Sequence, residues 1–178
     1  LGINAESLCY LPAYGLSAAS TALVGQAVGA KKRDLARSYG RVATVIGMLM
    51  MAGTGIILFI FAEPLMRIFT PDAEVIALGK KVLRIEAFAE PLFGASIVIS
   101  GVLRGAGDTR APFLINLISM WSVRLVAAYF LAPRFGLIGV WIAMAAELCV
   151  RGLIFIIRLR RERWLDRVFP ANEATVNS

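Results

Sequence analysis

Glu86, Glu90, Arg124, Glu147 and Arg151 all lie within long apolar stretches of the chain. An ionisable side chain at the centre of a bilayer costs ~2.5 to 3.5 kcal/mol by insertion scales, so such a group reads as functional until a partner explains it. Glu90 stands directly before Pro91. A carboxylate there has two chemistries open to it: coordinating a cation, or taking up and releasing a proton. The competing reading is a structural acid paired with a neighbouring arginine. Glu86, one turn earlier, offers the same choices. Glu6 falls near the far end of the first apolar run, where it can face water.

Arg124 and Glu147 each fall near the midpoint of adjacent runs, so antiparallel helices would place them at matched depth. Glu147 and Arg151 are four apart, with the acid N-terminal, the favourable order on a helix. The trio reads as a buried ion network aligning two helices, or as a proton-transfer element. The segment LRGAGDTR contributes Arg104, Gly105, Gly107, Asp108, Thr109 and Arg110. As a phosphate cradle it lacks the preceding strand and the glycine spacing of a nucleotide loop. As a turn it is well made: glycines permit positive φ and arginines hold it at a membrane surface.

The chain has no histidine, which excludes His-based zinc sites and His general bases. No convergent nucleophile and base stand out, so we expect no catalytic residues, no metal site and no cofactor. Cys9 and Cys149 stand apart inside apolar runs and read as small buried thiols.

The elements that must position these groups are membrane helices. Of the 178 residues 58% are hydrophobic and only 17% charged, with a mean hydropathy of +0.73, far from the ~25% charge of a soluble domain. Apolar runs of membrane length predict about five helices, over 8–29, 42–62, 73–103, 113–132 and 137–157. Gly25 with Gly29, and Gly15 with Ala19, have the spacing that lets membrane helices approach closely. Thr70, Pro71 and Asp72 predict a helix start, with Thr70 as N-cap and Pro71 as first helical residue. Pro91 predicts a kink. Glu90 is 13 residues before Leu103, which at 1.5 Å per residue is ~20 Å from that end of the helix. The polar tail 165–178 is expected to be disordered beyond Pro170.

The net charge of +7 gathers at the ends of apolar runs, which is a topology signal and not a nucleic-acid footprint. Lys31, Lys32, Arg33, Arg37, Arg41, Arg104, Arg110, Arg158, Arg160, Arg161, Arg163 and Arg167 collect on one side. Arg67, Lys80, Lys81, Arg84 and Arg134 collect on the other. The richer side is expected to be cytoplasmic, so the C-terminus lies inside and at least one further helix is expected upstream of Leu1.

With these residues in place, the chain resembles the multidrug and toxic compound extrusion (MATE) family. The resemblance rests on LRGAGDTRAP after a helix bearing Glu90 and Pro91, and on ESLCYLPAYGLSAASTALVGQAVGA leading into KKRDLA. It implies an all-α polytopic membrane bundle, with residues 1–164 as the partial second lobe of a two-lobe transporter in the inner or plasma membrane. It further implies export of small amphipathic or cationic drugs in exchange for Na+ or H+ by rocking of the lobes. The partners it implies are the lipid bilayer and a missing N-terminal lobe of the same protein. The family often carries an acid on the helix before this loop; here that position is Phe93, and Glu90 lies about one turn earlier. Two alternatives stay open: a lipid-linked sugar flippase of the related superfamily, which a basic cavity would favour, and a membrane scaffold that transports nothing.

Overall fold

The structure, a computed structural model, describes residues 2–170, with side chains from Tyr10 onward. The side chains of Glu6 and Cys9 and the tail from residue 171 lie outside the described residues. Among the described residues every regular element is helical. Three long helices come first: α1 (Gly2–Gly29), α2 (Arg33–Phe69) and α3 (Ala73–Gly105). Then α4 (Arg110–Ile118) runs through a π-helical segment, Ser119–Arg124, into α5 (Leu125–Arg160), and the short α6 (Arg163–Val168) follows.

Length and hydropathy alone make Arg33–Phe69 and Arg110–Arg160 able to cross a bilayer. The second of these is bent: Gly136 has φ 58° and ψ −135°, a conformation open to glycine, so the backbone turns there after Pro133. That turn divides the stretch into two helical segments, one on each side of Gly136. Helix α2 runs well past its apolar run at both ends, because Arg33, Asp34 and Arg37 at one end and Glu63 and Arg67 at the other form helix in a polar setting.

Helix α3 is the centre of the bundle. Its residues Gly94 to Leu103 are all buried, and α1, α2 and α5 pack around it. Against α1 the fit is backbone to backbone. A Cβ at Gly101 would collide with the carbonyl oxygen of Ser17, and one at Gly105 with that of Thr21. The Ser17 hydroxyl donates to the Ile97 carbonyl at 2.9 Å, and Thr21 donates to the Gly101 carbonyl at 2.9 Å. Two pairs of small residues, each four apart on facing helices, therefore form the tight crossing. The expected contacts were elsewhere: a Cβ at Gly15 or Gly29 would meet nothing, and one at Gly25 only an ordinary contact.

Two further expectations change. The N-cap of α3 is Asp72, whose carboxylate accepts from the Glu74 and Val75 amides, and the helix begins at Ala73. Thr70 instead accepts from the Asp72 amide at 3.2 Å, shaping the turn that delivers the cap. Past Arg161 the chain is not a bare tail. Glu162 takes a left-handed conformation, φ 54°, and α6 drives Trp164 and Leu165 fully into the core beside Phe155 and Leu159. Apolar burial at one end of a six-residue helix explains why a stretch so rich in charge is ordered.

Candidate functional site

Helix α3 presents Glu86 and Glu90 one turn apart, each 1% exposed. Gly55 is what lets the Glu90 turn seat against α2. A Cβ there would lie 2.9 Å from the Ala87 carbonyl oxygen and 3.2 Å from the Glu90 Cβ. Glu86 lies on the side of α5, within electrostatic reach of Cys149, which is a free thiol. On that side Ala89 clusters with Ala145 and Leu148, and Phe93 packs at the margin. A Cβ at Gly152 would run into the Leu92 backbone, so α5 also approaches α3 through a glycine. A buried carboxylate of this kind can bind a cation or take up and release a proton.

Glu147, also 1% exposed, is the hub of a second constellation. Its Oε1 accepts from the Ser119 hydroxyl at 2.8 Å. Arg124 approaches Oε2 at 3.5 Å, and the Arg151 Nε approaches Oε1 at 3.3 Å. The structure thus brings Arg124, Glu147 and Arg151 together as the sequence spacing predicts. The π-helical segment between Ser119 and Arg124 was not foreseen. It carries both partners of Glu147 from the neighbouring crossing, and π turns are common where a side chain must be aimed.

Arg151 has a further contact that pattern reading missed. Its guanidinium lies 5.5 Å from the centroid of the Phe93 ring. Tyr10 meets Phe93 edge-on at 5.9 Å, and Tyr14 meets Tyr10 at 5.8 Å. The cationic and aromatic groups of α1, α3 and α5 therefore share one face. The depth matching of Phe93 and Arg151 follows from the parallel run of α3 and α5, a pairing that helical periodicity alone does not reveal.

The LRGAGDTR loop is a structural junction. Of its glycines only Gly107 has positive φ, 83°; Gly105 belongs to α3, and its value is close approach to α1. Arg104 donates to the Ser17 hydroxyl at 3.2 Å. Asp108 accepts from the Ala111 amide at 3.2 Å and from Arg158 at 2.6 Å, with Arg167 at 3.8 Å. Thr109 and Arg110 are exposed and start α4. At the same end Glu162 accepts from Arg37 at 2.6 Å and from Arg41 at 2.8 Å, and Asp166 pairs with Arg33. These contacts tie α1, α5 and α6 to the loop, and α2 to α6 and its N-cap Glu162.

At the opposite end of α2, Glu63 lies beyond the apolar run 42–62, in the polar last turns of the helix. It bridges Lys80 at 2.7 Å and Arg67 at 2.8 Å. The hydrogen bond from Lys80, and next that from Arg67, hold its carboxyl below the ordinary value of 4.5.

The whole arrangement can be set beside known proteins. The chain is 34% identical over 175 residues to the probable multidrug resistance protein NorM of Thermotoga maritima, covering 97% of this chain and 38% of that protein. It is 30% identical to the multidrug resistance protein MdtK of Edwardsiella ictaluri, covering 94% of this chain and 37% of that one. The fold matches the crystal structure of the Vibrio cholerae MATE transporter VcmN in its bent form. The TM-score is 0.77 at 18% identity, over 94% of this chain and 40% of the other. The chain thus spans well under half the length of the relatives it matches. Residues 1–130 match the family profile itself, and the chain belongs to the MatE family.

Proposed function

We propose that this chain is the second-lobe portion of a secondary antiporter that exports organic cations and other amphipathic drugs in exchange for Na+ or H+. In this reading the lobe rocks against its N-terminal counterpart, the C-terminus is cytoplasmic, and Glu90 contributes its carboxylate to the coupling site. The observation that carries it is the burial of Glu90 at 1% exposure beside Pro91, on the helix at the centre of the bundle. An acid at mid-helix in a membrane protein, facing the bundle interior, reads as functional by default. The relatives named for multidrug resistance supply the substrate class.

The glycine contacts along α3 support rocking as a body: α1, α2 and α5 are each keyed to it through a close backbone approach. Segments joined this way move together rather than sliding separately.

The experiment uses the full-length protein in proteoliposomes loaded with ethidium. An imposed Na+ or H+ gradient is expected to drive ethidium across the membrane, and dissipating that gradient with an ionophore is expected to stop it. Ethidium flux that ignores both gradients would contradict the antiport reading.

A further inference from the structure

We propose that the slot between α2 and α3 holds a phospholipid of the surrounding bilayer, with its phosphate on Arg84 and one acyl chain running toward Pro91.

The two helices pair as an antiparallel ladder whose rungs change character with depth. Glu63 meets Lys80 at 2.7 Å, Arg84 lies over the Phe59 ring at 4.9 Å from its centroid, and Gly55 faces the Ala87 carbonyl. Successive rungs are about four residues apart, so each lies ~6 Å deeper than the one before. Glu63 is just past the apolar run 42–62, and Phe59 is one turn inside it. Arg84 therefore stands where headgroups give way to hydrocarbon, since the polar layer is ~5 to 7 Å deep on each side of a bilayer.

Below Arg84 the ladder opens into a slot. Its floor is small, made by Ala52, Gly55 and Ala87, while Phe59 and Phe88 stand at its rims and Pro91 lines it further along α3. The two rings meet edge-on at 5.8 Å, and Phe88 is 75% exposed. Helices that pack together in a membrane bring small residues to the contact surface. Here the small residues are recessed and the bulky ones project, which suits a flexible hydrocarbon chain and not a further helix. Size agrees: the cavity is about 340 Å³, less than a single turn of a helix ~10 to 12 Å across with a pitch of ~5.4 Å.

Arg84 supplies the complementary charge. The Phe59 ring holds its guanidinium in place, yet the Arg84 Nε is buried with no hydrogen-bond partner among the described residues. A guanidinium offers five N–H donors in a planar fork, and a phosphate fits that fork with two oxygens at once. One phospholipid thus fills the slot with its chain and satisfies the cation above it with its phosphate.

The test counts lipid bound to the purified full-length protein by native mass spectrometry, titrating phosphatidylglycerol and, separately, diacylglycerol with the same acyl chains. Wild-type protein is expected to retain a phospholipid that diacylglycerol does not replace. Arg84→Gln removes the charge and Ala52→Phe fills the floor; each is expected to weaken that binding about tenfold, the effect of one charge-assisted hydrogen bond in the first case. Arg84→Lys should keep most of it. Arg110→Gln, in the loop at the other end of α3, should bind as wild type does. Wild-type binding by either Arg84→Gln or Ala52→Phe overturns the proposal. Equal retention of diacylglycerol overturns it too, as does an equal loss in Arg110→Gln, which would mark general attraction to basic surface. Wild-type protein that retains no phospholipid would mean that another segment of the full-length protein covers the slot, and this also overturns it. If one variant fails to fold, the diacylglycerol comparison and the remaining variants decide.

Discussion

The Arg151 guanidinium stands over the ring of Phe93, 5.5 Å from its centroid. Phe93 lies one turn after Glu90 on α3, so this face of the bundle sets a ring against a cation, while the buried acids stand at Glu86, Glu90 and Glu147. A cation over a ring in a partly desolvated setting contributes ~1 to 2 kcal/mol. Phe93→Leu keeps an apolar side chain but removes the ring and its contacts with Arg151 and Tyr10, and is expected to destabilise the full-length protein by about 1 kcal/mol. Thermal unfolding in detergent reads it, with an unchanged midpoint as the contrary outcome.

Glu147 holds two arginines and a serine hydroxyl in a buried setting. Removing its charge leaves both guanidiniums repelling each other without their counter-ion, and breaking a buried pair typically costs ~3 to 5 kcal/mol. Glu147→Gln is expected to lower stability by about 3 kcal/mol, more than Arg124→Gln, because Arg124 is partly exposed. Denaturant titration of the two variants gives the order, and the reverse order would contradict the hub role.

Gly101 and Gly105 face the Ser17 and Thr21 carbonyls with no room for a methyl group. Gly101→Ala is expected to destabilise by ~1 to 3 kcal/mol, since overpacking against backbone cannot relax by a rotamer change. Gly53→Ala is the control. A Cβ at Gly53 meets nothing, so the gain in helix propensity, ~0.5 to 1 kcal/mol, should dominate. Opposite signs in the two unfolding midpoints are predicted.

The Glu63 bridge to Lys80 and Arg67 gives a pH signature. Its folded carboxyl sits below 4.5, a depressed value, so its contribution is fully present above the ordinary carboxylate range and is lost as pH falls through the folded value. The difference in unfolding midpoint between wild type and Glu63→Gln should therefore be constant near neutrality and vanish on acidification. A difference that grows toward low pH would contradict the assignment.

Much of this was legible in the residues themselves. Charge placed inside apolar runs pointed to Glu90 and to the Arg124, Glu147 and Arg151 trio, because burial in lipid leaves few other meanings for such groups. The LRGAGDTR segment was readable as a turn for the same reason. What the residues did not give were relationships between helices. The Gly101 and Gly105 crossing, the Phe93 and Arg151 contact and the Ser119 bond all depend on which helix lies beside which. The α6 segment was hidden by its own composition: Trp164 and Leu165 are two apolar residues among many charges, and their burial needs the pocket that Phe155 and Leu159 complete.

Glu90→Gln in the full-length protein is the most direct test of the central claim, that the buried acid of the central helix serves coupled export. Efflux of ethidium driven by the coupling gradient should fall at least tenfold, while membrane insertion, expression and unfolding midpoint stay close to wild type. Efflux at the wild-type rate would contradict the account.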